Sequence, residues 1–307
     1  MNTKFDEELF LTNKTGRELY HKYAEQLPII DYHCHLQPSE IAENKEFEDL
    51  GEMWLRGDHY KGRAMRTFGI DEKYITGDAS YHDKYMAFAA ILPKLIGNPI
   101  YIWCALELKR YFDIDEPLTE ENAEEIYQKT TAMIKEKHMT RRWCMEHSNV
   151  KLVSTTEDPV DDLRYHIALN KEKMFTRVIT AFRPDKAVNL EKPDFADYIA
   201  KLSQSAGTEI QNMDTLLAAL DRRMDYFAAH GCTVADHGLD NIVFRPADTA
   251  ALDAILQKRL TGLTITEEEL WQYKTALLLY FGRGYARRGW VMQLHFAAQR
   301  NNNTRMF

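Results

Sequence analysis

Five short apolar runs, each closing on polar residues, constrain what this chain can fold into more than any other feature. They are LPIIDYHCH at 27–35, VKLVSTTEDP at 150–159, TRVITAFRPD at 176–185, GCTVADHGL at 231–239 and GWVMQLHFA at 289–297. Each is too short for a buried helix and is bounded by turn-forming residues, so each reads as a strand. Longer helical stretches separate them. Alternating βα units with apolar strands predict a parallel sheet covered by helices. The strand ends carry His33 and His35; Thr155, Thr156 and Glu157; Arg183; Asp236 and His237; and His295. Polar groups at successive C-terminal strand ends are how a (β/α)8 barrel builds its site, and they also fit the carboxyl edge of an open doubly wound sheet.

The spacing between the first two strands sets the domain plan. Residues 38–149 carry few strand signals and read as a helical insertion. Residues 1–37 then hold an N-terminal helix and the first strand, and 150–307 the remaining βα units. Several helix starts are written locally. Thr15 is placed to cap a helix over 15–26 and Thr119 one over 119–138. Asp158 with Pro159 suits a helix start after the second strand. Thr266 with Glu269 forms a capping-box pattern before the last strand.

Composition narrows the function. The net charge is −8, which gives no support for nucleic-acid or membrane partners. The four cysteines, Cys34, Cys104, Cys144 and Cys232, form no Cys-x-x-Cys pair, as expected of free thiols in a reducing compartment. The polar start MNTKFDEELFLTNKT lacks the basic and apolar regions of a secretory signal, and the apolar runs are too short to span a bilayer. A soluble, cytoplasmic protein is expected. A glycine-rich phosphate loop, a Gly-x-Ser-x-Gly elbow and a His-Glu-x-x-His helix are all missing, so nucleotide-dependent and serine-hydrolase chemistry has little behind it.

What remains is metal and anion chemistry. On a strand, residues i and i+2 share a face, so His33 and His35 could share one divalent ion. With 11 histidines in the chain, a His-x-His also arises readily by chance, so its position at a strand end carries the weight. WLRGDHYKGRAMR at 54–66 mixes Arg56, His59, Tyr60, Lys61, Arg63 and Arg66. It fits either a solvated basic helix face or a site for a carboxylate and hydroxyls. Arg183 needs an anion, either a ligand or a neighbour such as Asp185. Asp236, His237 and His295 add polar groups at two further strand ends. Arg300 and Asn301–Asn303 read as a loop without assigned chemistry.

Taken together, IIDYHCHL, WLRGDHYKGRAMR, STTEDP, TAFRPDKA, TVADHGL and WVMQLHFAAQRNNN resemble the uronate (glucuronate) isomerases, a branch of the amidohydrolase superfamily. The resemblance runs from the first strand to the last residue. It implies an α/β fold: an incomplete (β/α)8 TIM-like barrel, about five of eight strands, with a helical insertion after strand 1. It implies one divalent metal, zinc being the expected ion, held by His33 and His35. Substrate contacts fall to His59, Tyr60 and Arg183, with Arg183 pairing to the carboxylate, and catalytic roles to Tyr60 and His295. The implied reaction interconverts D-glucuronate with D-fructuronate, and D-galacturonate with D-tagaturonate, by moving a proton from C2 to C1 through an enediol.

The family continues past residue 307 through three more strands. An Asp at the end of the eighth is its remaining metal ligand and presumed base. The resemblance therefore implies that this chain is the front two-thirds of the protein, weakly active or inactive alone. The alternatives are a metal-dependent amidohydrolase-type hydrolase and a non-catalytic sugar-acid binding fragment. A small-molecule uronate is the expected partner, without nucleic acid or membrane; a homo-oligomer is compatible with the sequence.

Overall fold

The computed structural model describes residue 8 and residues 10–297; Arg300 and Asn301–Asn303 lie outside that range. Five strands form where the apolar runs place them: β1 Ile29–Asp31, β2 Val150–Glu157, β3 Arg177–Phe182, β4 Val234–Leu239 and β5 Val291–Phe296. They form one sheet in the order β1-β2-β3-β4-β5, every neighbouring pair parallel. This is the topology of consecutive βα units, and it requires a crossover at every step. The sheet curls into a half-barrel, with the Gln293 side chain of β5 donating to the Tyr32 carbonyl, just beyond β1, at 3.3 Å.

Contacts divide the chain into two compact units. One holds the sheet and comprises Ile29–Glu43 and the described residues from Ser148 onward. The other comprises the described residues up to Pro28 together with Asn44–His147. The helix Pro38–Glu43, expected in the insertion, packs in the sheet unit against the helix Arg164–Leu169. The N-terminal helix Lys14–Leu19 belongs to the helical unit rather than with β1.

In the sheet unit the core lies between the convex side of the sheet and its helices. Phe182 is fully buried, its ring edge-on to Phe227 at 5.1 Å and within 6.3 Å of Tyr285. Tyr285 stacks on Phe281 and on Trp290. Phe182 points to the helices, and Arg183, just past the strand, reaches the other face, where its Nη1 lies 3.1 Å from Asp236 Oδ2. On the outer strands Ile29, Ile30, Val291 and Phe296 are exposed.

Some local starts differ from the expected ones. Asn13, not Thr15, caps the first helix, its side chain accepting from Gly16 N at 2.8 Å. The helix expected from Thr119 begins at Ala123, because Thr119 N donates to Asn122 Oδ1 in a turn ahead of it. Asp158 closes a turn by accepting from Val160 N and Tyr198 Oη, so the next helix waits until Arg164. The Thr266–Glu269 capping box forms as read and starts the helix Glu267–Arg288.

The helical unit has its own apolar core around Trp54, Tyr85, Phe88, Cys104, Phe112 and Ile134. Buried Asp49 caps the helix Leu50–Leu55 and accepts from Tyr127 Oη at 2.7 Å. Among the described residues no single helix is long and apolar enough to cross a membrane.

Candidate active site

The polar strand ends of the sheet unit converge. Asp236, on β4, is fully buried. His33 Nδ1 lies 3.9 Å from Asp236 Oδ2, and His295 Nδ1 lies 2.7 Å from Asp236 Oδ1. Arg183 Nη1 approaches the same Oδ2 at 3.1 Å. These are ion-pair distances without hydrogen-bond alignment: neither Asp236 oxygen, nor His33 Nδ1, has a hydrogen-bond partner. A buried carboxylate in that condition is costly unless something else satisfies it. One donor atom from each of His33, Asp236 and His295 fits within a 4.8 Å group that could hold a metal ion. Two imidazoles and a carboxylate suit zinc and other first-row divalent ions.

His35 takes a different place. β1 is only three residues long and the chain bends at Tyr32 and His33, so both histidines lie beyond the strand. Strand alternation therefore does not carry to His35. Its exposed ring stands edge-on to His33, 5.0 Å away, outside the three-donor group. Cys34 N returns to the sheet by donating to Ser154 O at 2.9 Å, which fixes His33 against β2.

Arg183 is held from two sides. Its Nε donates to Asp185 Oδ2 at 2.8 Å, so the neighbouring-acid pairing allowed by the sequence is present. Asp185 also accepts from Gly238 N at 3.0 Å. A Cβ at Gly238 would stand 2.9 Å from Arg183 Nη2 and 3.0 Å from Asp185 Oδ2, so a larger residue there would push on this pair. Burial opposes the charge on Arg183, but Asp185 and Asp236 outweigh it and raise its pKa. Burial pulls His33 below the ordinary imidazole value, and Asp236 pulls the other way. His237 faces the helices, where its Nε2 meets Tyr285 Oη at 3.0 Å and burial pushes it down to about 4.

His59 and Tyr60 open the helix His59–Thr67 of the helical unit. Asp58 caps it, accepting from Tyr60 N and Lys61 N at 2.8 Å, and binds Lys61 Nζ at 2.9 Å. Gly57 precedes the cap at φ 75°, a left-handed conformation that suits glycine. The segment is therefore partly a helix-start device. The His59 and Tyr60 rings stand 4.3 Å apart, and Tyr60 is half exposed. A cavity of about 380 Å³ beside His59, and not lined by Tyr60, is formed by Arg56, Arg66, Tyr74, Tyr81 and Lys84, among others. Glu52 engages Arg56 and Glu72 engages Arg66.

The glucuronate isomerase family model matches residues 1–307. The chain belongs to the glucuronate isomerase family.

It is 49% identical over 303 residues to a uronate isomerase of Pectobacterium carotovorum, covering 98% of this chain and 65% of that protein. It is 46% identical to one from Caldanaerobacter subterraneus, covering 100% and 66%. The chain thus spans about two-thirds of the length of these relatives. Among solved structures it superposes on a uronate isomerase from Thermotoga maritima with a TM-score of 0.90 at 33% identity, covering 95% of this chain and 64% of that one. The glucuronate isomerase structure of Caulobacter crescentus shares the fold, with a TM-score of 0.89 at 24% identity over 99% and 66%.

Of the residues expected from the sequence, the sheet unit of this family member brings together His33, Arg183 and His295, with His35 alongside. His59 and Tyr60 sit in the helical unit. The sequence reading gave no role to Asp236, on which the cluster centres. Alternation offered the signal: with His237 on the helix side of β4, Asp236 had to face the other way.

Proposed function

We propose that the protein is an aldose–ketose isomerase of hexuronates, interconverting D-glucuronate with D-fructuronate and D-galacturonate with D-tagaturonate. The observation that carries this is the unsatisfied buried Asp236, ringed by His33, His295 and Arg183, in a chain of the glucuronate isomerase family. We read β1–β5 as consecutive strands of a (β/α)8 barrel, a reading supported by their unbroken parallel order. Four free cysteines without a disulfide favour a reducing, cytoplasmic setting.

His33, Asp236 and His295 would hold a divalent ion, zinc by the donor set, with His35 next to them. Bound there, the ion supplies Lewis-acid polarisation of the substrate's carbonyl and hydroxyl oxygens. The side chains do the rest. Arg183, already positioned by Asp185 and with further guanidinium donors, takes the substrate carboxylate and orients the chain of carbons. His295, whose Nδ1 lies 2.7 Å from Asp236 Oδ1, stands at the cluster where a C2-to-C1 proton transfer needs an imidazole.

Calorimetry with D-glucuronate tests the clamp. Arg183→Met is expected to weaken binding by about 100-fold, the usual order for losing one partner of a desolvated charge pair. Unchanged affinity would contradict the reading.

A further inference from the structure

Behind the cluster, on the helix-facing side of the sheet, lies a buried polar group that the proposed reaction does not use. Glu157 ends β2 and is only 7% exposed, and Thr155, Thr180 and His166 around it are buried still more deeply. Glu157 Oε2 accepts from Thr155 Oγ1 at 2.9 Å and from Thr180 Oγ1 across the sheet on β3. Thr155 Oγ1 also meets His166 Nε2, from the helix Arg164–Leu169, at 2.8 Å. No lysine or arginine pairs with this carboxyl among the described residues. Its backbone carbonyl accepts from Arg183 N at 2.9 Å, so the residue that fastens the two strand ends also holds the start of the Arg183 segment.

The group has two fully hydrogen-bonded states. With Glu157 ionised, both threonine hydroxyls donate to it, and His166 Nε2–H donates to Thr155. With Glu157 protonated, its proton goes to Thr180 Oγ1, and the two hydroxyls turn to carbonyls already in reach. These are Ala181 O, 3.2 Å from Thr180 Oγ1, and Ile179 O, 3.3 Å from Thr155 Oγ1. All of these acceptors belong to β2 and β3. A change of one proton therefore alters the bonding between exactly the two strands that place Arg183.

We propose that Glu157 is a positioning residue for Arg183, working through a two-state hydrogen-bond latch between the ends of β2 and β3. The proposal rests on the reading of Arg183 as the carboxylate clamp. Burial pushes the Glu157 carboxyl up to about 7 against the two threonine hydrogen bonds, so both states are populated near neutrality. The other titratable groups facing the latch are His166, 3.5 Å from the carboxylate and held down to about 4 by burial, and Asp161. Cys34 and Cys232 also feel the Glu157 charge, but burial raises both thiols to about 12 and keeps them neutral. His230 bears on the latch only through His166.

The test follows the Arg183 backbone amide by NMR in the ligand-free protein from about pH 5.5 to about 8.5, in parallel with D-glucuronate affinity. The wild type is expected to show an amide transition near pH 7 and a change in affinity of about threefold or more with the same midpoint. Glu157→Gln, fixed in a neutral state, loses both transitions. Thr180→Val, which removes a donor to the ionised form, moves the midpoint upward by about half a unit or more. An Arg183 amide transition that survives in Glu157→Gln, or a midpoint unmoved by Thr180→Val, would overturn the latch. If the amide behaves as expected while Arg183→Met leaves glucuronate binding intact, the latch stands as a device on Arg183 and the clamp reading fails instead.

Discussion

The two faces of the same strand ends hold polar groups in opposite conditions. On the helix-facing side, Thr155, Glu157, Thr180 and His166 satisfy one another, and His237 Nε2 finds Tyr285 while its Nδ1 is left without a hydrogen bond. On the other side, both oxygens of Asp236 and Nδ1 of His33 lack hydrogen bonds although they are buried. The same strand ends supply both faces, but the groups around Asp236 are more open: the His295 side chain is 44% exposed, against 7% for Glu157. What also differs is whether the fold completes the bonding by itself. A satisfied buried network belongs to the scaffold, whereas an unsatisfied one of nitrogen and carboxylate donors is shaped for something bound.

Two perturbations of the helix-facing side should sharpen that contrast. Phe182→Ala opens a cavity among Phe227, Phe281, Tyr285 and Trp290. It should cost about 3–5 kcal/mol in denaturant titrations while leaving one metal ion bound per folded chain. A loss of metal affinity in the folded variant would break the separation between the faces.

The second perturbation concerns pH. Glu157 has its folded pKa raised to about 7, so its contribution to stability is greatest below the ordinary carboxyl value and is lost as pH rises through 7. His166 has its folded pKa lowered to about 4, so its contribution is complete above the ordinary imidazole value and is lost as pH falls through 4. The two slopes oppose each other across the acidic window, and the wild type should be nearly flat there. Glu157→Gln exposes the His166 slope: stability should rise by up to about 3 kcal/mol between about pH 4 and 6.5. A flat profile in this variant would show that the two groups do not titrate as a buried pair.

Much of the fold was legible because it rests on short-range pattern. The five apolar runs became β1–β5, since apolar length and turn residues decide a buried strand, although the first shrank to Ile29–Asp31. The Thr266–Glu269 capping box was equally local. The misread starts at Thr15, Thr119 and Asp158 share a cause: a nearby Asn or Asp side chain took the backbone donors first. For the site, His33, Arg183 and His295 could be named from their strand ends. His35 stands 5.0 Å from His33, although the alternation that pairs them in the sequence stops at Asp31. Asp236 was visible as a residue but not as the centre, because its partners come from β1, β3 and β5, far away in sequence.

The central claim is that the unsatisfied face is a metal site centred on Asp236. Its most direct test is a zinc titration of the purified protein and of Asp236→Asn, with cobalt substitution to report the ligand atoms. The account predicts one ion per chain, a cobalt spectrum free of thiolate charge-transfer bands, and an affinity lower by about 100-fold or more in Asp236→Asn. Equal zinc affinity in the two proteins, or sulfur ligation by any of the four cysteines, would contradict it.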